Sequence, residues 1–214
     1  HADLLPVALK AAPHGVPVFA AETPPEIAAA YQIAPDDCEM RPGVKVWDAW
    51  IESFPRRTPA AIDPPGAIIY TSGTTGRPKG VKRNPPTPAQ ALASTKQLAR
   101  AFGVESVLVH GKPERIVTVV TGPMYHSAPN AYGSISVRAG ADVILQPRFD
   151  PEELLQLIEK HRVTHLHMVP TMFVRLLKLP EDVRKRYDLS SLKFVVHAAA
   201  PCPPDVKRGM IEWW

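Results

Sequence analysis

Apolar residues along the chain fall into two rhythms, and the two alternate. Short, nearly continuous apolar runs at 66–71, 115–120, 141–146, 163–169 and 192–198 read as buried strands. Between them lie stretches with helical spacing. Residues 88–102 form one. A second opens at Asp150-Pro151-Glu152-Glu153, where an N-cap acid, a proline at the first helical position and first-turn carboxylates turn Leu154, Leu155 and Ile158 inward. Helices are also expected at 170–177 and from Pro204 onward, where Val206, Met210, Trp213 and Trp214 repeat at helical intervals. Strand–helix alternation of this kind predicts an α/β fold with mostly parallel sheets layered by helices, and ligands bound at the C-terminal ends of the strands.

The first 60 residues are different. They are rich in Ala and Pro and carry only short elements: a helix at 4–9, an edge strand at 16–20 interrupted by Pro17, a helix from Pro24 to Tyr31, and a helix at 46–51 stopped by Phe54-Pro55. No internal repeat is visible. The division expected is a partial N-terminal segment of a large domain at 1–60 and its α/β core at 61–214.

Composition narrows the class. With 45% hydrophobic and 21% charged residues in 214, the chain is a folded domain rather than a disordered one. The 25 prolines, against an average share of about 5%, punctuate turns between packed elements. No apolar run approaches the ~18 residues of a membrane span, and the start does not read as a signal peptide. Cys38 and Cys202 are too few for a disulfide framework or zinc knuckle, so a cytoplasmic location is expected. The bare Trp213-Trp214 end and the missing initiator Met lead us to expect chain beyond both ends. A net charge of +4 suits an anionic small ligand as well as nucleic acid. Aromatics at 7%, not interleaved with basic runs, and the lack of a recognition motif argue against nucleic acid.

The informative segment follows the strand at 66–71: Tyr70-Thr71-Ser72-Gly73-Thr74-Thr75-Gly76-Arg77-Pro78-Lys79-Gly80-Val81. Glycines let backbone N–H groups approach an anion, four hydroxyls can donate to phosphate oxygens, and Lys79 adds a point charge. It is not a Walker loop, because Pro78 precedes the lysine and Gly80 follows it. It is not a nucleophile elbow either, because Tyr70 stands where the first glycine would be.

This stretch resembles the phosphate-binding signature of AMP-forming acyl-CoA synthetases, a superfamily that includes luciferases and the adenylation domains of peptide synthetases. The resemblance runs from about Asp63 to the C-terminus and more faintly to the front. Within the superfamily the chain looks most like bacterial fatty-acyl or bile-acid CoA ligases. Two more segments carry it: Pro123-Met124-Tyr125-His126-Ser127-Ala128-Pro129-Asn130, and Val195-Val196-His197-Ala198-Ala199-Ala200-Pro201.

The resemblance implies an N-terminal large-domain piece without the small C-terminal domain. It implies an enzyme that uses ATP, Mg²⁺ and coenzyme A to convert a small carboxylic acid first to an acyl adenylate and then to a thioester. Thr71 would help hold Mg²⁺, together with an acidic ligand beyond Trp214. Ser72, Gly73, Thr74, Thr75, Gly76 and Lys79 would cradle the outer phosphates. His126 would sit where carboxylate and phosphate meet. Asn130 occupies the place where some relatives carry a Trp gate. Ala198, Ala199, Ala200 and Pro201 would line adenine and the acyl group, with Ala198 where the family often has glycine. The 214 residues alone are expected to be inactive. The alternatives are a non-catalytic ATP-binding relative and an adenylating enzyme that loads a carrier-protein thiol. His161, His165 and His167 form a separate group; His165 and His167 share a strand face, and packed or edge histidines are favoured there over a metal.

Overall fold

The computed structural model describes residues 1–56, 68–71, 79–82 and 84–214. Contacts divide the chain into two units, His1–Pro64 and Pro65–Trp214. In the first, a 3₁₀ turn at Ala2–Leu4 leads into α1 (Leu5–Ala11), followed by β1 (Phe19–Ala20), α2 (Pro25–Tyr31), β2 (Lys45–Val46) and α3 (Trp47–Glu52). β1 and β2 pair in parallel. The strand expected at 16–20 is thus only its last two residues. A small core of Ala2, Leu5 and Ala20 is buried there, with Val18, Met40 and Val44 against it.

The second unit opens with an antiparallel hairpin, β3 (Ile68–Thr71) and β4 (Lys79–Lys82), in which Thr71 stands opposite Lys79 and Tyr70 opposite Gly80. The sequence predicts a loop through Gly80, whereas the structure resumes a strand at Lys79. Next come α4 (Pro88–Ala101), α5 (Glu105–Leu108), β5 (Val117–Val120), α6 (Ser127–Arg138), β6 (Asp142–Leu145), α7 (Pro151–His161), β7 (His165–Met168), α8 (Pro170–Leu177), α9 (Glu181–Arg184), β8 (Phe194–His197) and α10 (Pro204–Trp213). The four later strands form one sheet in the order β6-β5-β7-β8, parallel throughout.

Helices cover both faces of that sheet. Val117, Val119, Leu166 and Met168 point to one side, where Leu154, Leu155 and Ile158 of α7, Phe173 and Leu176 of α8 and Met210 of α10 complete the larger core. On the other side Ala99 and Phe102 of the α4 region pack with Ile116 and with Tyr132 and Ile135 of α6. This is the alternation of a strand buried on both faces.

Local chemistry sets the helix ends. The Thr87 hydroxyl accepts from the Gln90 N–H at 3.3 Å while the Gln90 side chain accepts from the Thr87 N–H at 2.9 Å, a reciprocal cap on α4. Its other end closes through Gly103, at φ +74°, with Val104 N–H on Ala99 O at 2.8 Å and Gly103 N–H on Arg100 O at 3.2 Å. Asp150 caps α7 by accepting from the Glu153 N–H at 2.9 Å.

Candidate active site

Parallel strands bring their C-terminal ends to one edge of the sheet, and a cavity of about 350 Å³ lies there. Its wall is built from the exit of β5 (Thr121, Gly122, Pro123), the start of α6 (His126, Ser127, Ala128, Pro129), the β7–α8 junction (His167, Met168, Val169, Met172) and Ala199 after β8. A larger groove of about 580 Å³ runs along β8 beside α8 and α10. Of the site residues drawn from the sequence it contains none, so the smaller cavity is the candidate.

Sequence dictates this geometry at a few points. Gly122 lets the β5 exit approach α6 closely: a Cβ there would lie 2.7 Å from Cγ of Pro129. Pro129 is tolerated because it sits in the first turn of α6, where its missing N–H would have had no helical partner. His126 is the N-cap residue, with extended backbone and no side-chain cap. Its N–H donates to Pro123 O at 3.0 Å and its carbonyl accepts the first helical bond from Asn130 N–H at 3.1 Å. Across the cavity α8 starts after Val169, again without a side-chain cap. Two helix N-termini without side-chain caps therefore meet the same cavity with partial positive charge, an arrangement that favours an anion, although Pro129 and Pro170 bring no N–H and the Met172 N–H is held by Val169 O at 2.9 Å. No Lys or Arg stands among the lining residues, so the attraction for an anion there comes from the backbone.

The inner wall is fixed by buried polar links. Thr118 Oγ1 donates to the His165 carbonyl at 2.7 Å and therefore accepts from the Tyr132 hydroxyl at 2.8 Å. Burial pushes the Tyr132 hydroxyl up to about 12, so it stays a neutral donor. Thr121 Oγ1 lies 3.3 Å from the His167 carbonyl. Burial also holds the rings of His165 and His167 below the ordinary imidazole range. Ala198 N–H donates to Met168 O at 3.2 Å, continuing the ladder past β8, and Ala199 then turns at φ +73°.

The residues singled out by sequence are placed as follows. His126 and Ala199 line the cavity together. Ala198, Ala200 and Pro201 flank Ala199 in the same turn but are not lining residues. Asn130 lies on α6 with its amide donating to Met124 O at 3.1 Å, also outside the lining. Thr71 and Lys79 are paired at the end of the β3–β4 ladder that leads into 72–78, and Lys79 is exposed. Ser72, Gly73, Thr74, Thr75 and Gly76 lie outside the described residues. Among the described residues no group of three or more His, Cys, Asp or Glu could hold a metal ion, and no helix is long and apolar enough to cross a membrane. Sequence reasoning missed Thr121 and Met172, and it took His167 as a packed or edge histidine rather than as part of this cavity. The alternation of His165 and His167 placed both on one face, but only the strand order shows that this face ends at α6.

Comparison with known proteins gives consistent results. Residues 8–214 match the AMP-binding enzyme family. The chain is 37% identical over 151 residues to the long-chain-fatty-acid–CoA ligase of Bacillus subtilis, covering 69% of this chain and 25% of that protein. It is 36% identical over 136 residues to 4-coumarate–CoA ligase 5 of Oryza sativa subsp. japonica, covering 63% and 24%. The red-emitting luciferase of Phrixothrix hirtus superposes with a TM-score of 0.67 at 18% identity, over 97% of this chain and 37% of that one, a likeness of fold. The chain spans about a quarter of the length of the curated relatives it matches.

Proposed function

Because the chain belongs to the AMP-binding enzyme family, we propose that it forms part of the large domain of an ATP-dependent carboxylic acid–CoA ligase, with residues from 61 onward as the α/β core and 1–60 as its N-terminal segment. The observation that carries this reading is the cavity of about 350 Å³ at the strand ends, which is bordered by His126, Ala199 and two uncapped helix starts.

In the reaction proposed, an oxygen of the acid's carboxylate attacks the α-phosphorus of ATP. The acyl–oxygen–phosphorus bond forms and the bond to the β-phosphate breaks, releasing pyrophosphate. The thiolate of coenzyme A then attacks the acyl carbonyl and AMP leaves. The first step concentrates negative charge at the phosphates, so preorganised donors supply most of the help. The starts of α6 and α8 steady the carboxylate, His126 orients it toward phosphorus, and Lys79 with the hydroxyls and N–H groups of 71–76 binds the departing phosphates. The turn at 198–201 borders the nucleotide. A magnesium ion on ATP would need oxygen ligands besides Thr71; the described residues offer no carboxylate cluster for it, and no step here is routed through it.

The test is acid-dependent exchange of labelled pyrophosphate into ATP by the complete reading frame that contains these residues, using fatty, aromatic and steroid acids without any thiol. Exchange that requires the acid supports adenylation. ATP binding with no exchange on any acid would contradict it and identify a non-catalytic nucleotide binder. Thioester formation with free coenzyme A separates a CoA ligase from an enzyme that loads a carrier-protein thiol.

A further inference from the structure

His126 has to aim at the carboxylate, yet its own side chain is little restrained. Among the described residues none hydrogen-bonds to its ring, and its one ring neighbour is Tyr125, 5.1 Å away between centroids and tilted by 37°. Tyr125 is itself 87% exposed. The direction of the imidazole is therefore set by the backbone that carries it.

That backbone is a turn over residues 123–126, closed by the His126 N–H on Pro123 O at 3.0 Å. Two residues of α6 hold the turn. The Asn130 side-chain amide donates to Met124 O at 3.1 Å. A carbonyl can only accept, so it is the amide nitrogen that faces it. Three residues along the same helix, Gly133 leaves room for the Met124 side chain: a Cβ there would lie 3.4 Å from the thioether methyl. Positions three apart share a helix face, so the two holds act side by side. Met124 is thus pinned through its carbonyl and its side chain, two residues before His126. Asn130 also gives its backbone N–H to His126 O at 3.1 Å. One residue therefore grips the turn at Met124 and at His126.

We infer that Asn130 is a positioning residue: by holding Met124 O it fixes the turn that aims His126 at the reacting carboxylate. This rests on the reading of the cavity as the acid site. Asn130 does not line that cavity, so it acts through the turn and acts alike on every acid. The bond is exposed and adds little to global stability, whereas a displacement of about 1 Å at a reacting group can cost about 10²-fold in rate.

The experiment compares the complete reading frame as wild type, as Asn130→Leu, similar in size but without a donor, and as Asn130→Gln, which keeps one. kcat and KM for acid-dependent pyrophosphate exchange are measured with fatty, aromatic and steroid acids. Deuterium uptake by peptides covering residues 123–131 is followed by mass spectrometry, and thermal melting checks the fold; Asn130→Ala serves should the Leu variant not fold. In the Leu variant kcat is expected to fall about ten-fold or more, by a similar factor for each acid accepted, with KM for the acid within about two-fold of wild type and the melting temperature unchanged. Uptake across 123–131 should quicken, because the His126 N–H loses its shelter, and the Gln variant should recover part of both effects. A kcat within about two-fold of wild type, far short of that loss, would overturn the inference. So would unchanged uptake, or a loss confined to one class of acid, which would put Asn130 against the acyl chain instead. Absence of pyrophosphate exchange with every acid would contradict adenylation, and the deuterium uptake would still show whether Asn130 holds the turn.

Discussion

Gly122 and Pro129 approach so closely that a single added carbon would collide: a Cβ on Gly122 would stand 2.7 Å from the Pro129 ring. Proline cannot swing aside as a long side chain can, so the start of α6 must move. Gly122→Ala is expected to lower stability by about 1–3 kcal/mol, the usual cost of overpacking. It should also shift His126, four residues on. Urea denaturation reads the first effect and acid-dependent exchange the second. Unchanged stability would mean that the β5 exit and α6 are not held at this distance.

Ala199 turns at φ +73°, a region that costs a residue with a Cβ roughly 1–2 kcal/mol. Ala199→Gly relieves that strain but adds freedom to the unfolded chain, worth about 0.4–1 kcal/mol. The net expectation is a small gain in stability, below about 1 kcal/mol, read from the urea midpoint. A loss of 1 kcal/mol or more would place Ala199 in an ordinary conformation.

His165 links acidity to folding. Its Nε2 lies 3.1 Å from the Gly103 carbonyl and its Nδ1 2.8 Å from the Thr164 hydroxyl. Burial holds its pKa below the ordinary 6.5, the Gly103 carbonyl and Glu114 pull it back up, and Lys193 pushes it down. His167 is lowered by burial as well. The unfolded chain therefore binds protons more readily than the folded one. The stability these rings contribute is complete above the unfolded value and falls as pH drops through it toward the lower folded values. Urea midpoints at pH 7.5, 6.5 and 5.5 should decline, and His165→Gln should flatten the decline. A constant midpoint would contradict the depressed values.

Asp150 caps α7 through the Glu153 N–H at 2.9 Å. Asp150→Ala should cost about 1 kcal/mol, and Asp150→Asn much less because an amide oxygen still accepts. Thermal melting checks both.

How much of this was readable in the sequence varied with the physics of each element. β5 and β7 stood out because every residue of Val117–Val120 and His165–Met168 is buried, which leaves a continuous run. α7 stood out because cap, proline, acids and inward leucines agree. β4 did not: Lys79-Gly80-Val81-Lys82 is exposed throughout and has no buried face to impose alternation. α6 was missed because Pro129 and Gly133 weaken its helical signal, while both are explained by close packing, Gly133 against Met124 and Val120. The site was legible as separate segments. That His126, His167 and Ala199 share one cavity depends on the order β6-β5-β7-β8, in which β7 rather than β6 lies between β5 and β8, and residue order along the chain does not encode that.

The most direct test of the account is acid-dependent ATP–pyrophosphate exchange by the complete reading frame with and without Lys79→Ala. Lys79 is exposed at the start of β4, opposite Thr71, so its removal should leave the melting temperature unchanged. If its charge binds the departing phosphates, exchange should fall by about 10²-fold or more, as when a preorganised donor is removed from a reaction centre. Exchange by the variant within about two-fold of wild type, far short of that loss, would contradict the role given to this hairpin.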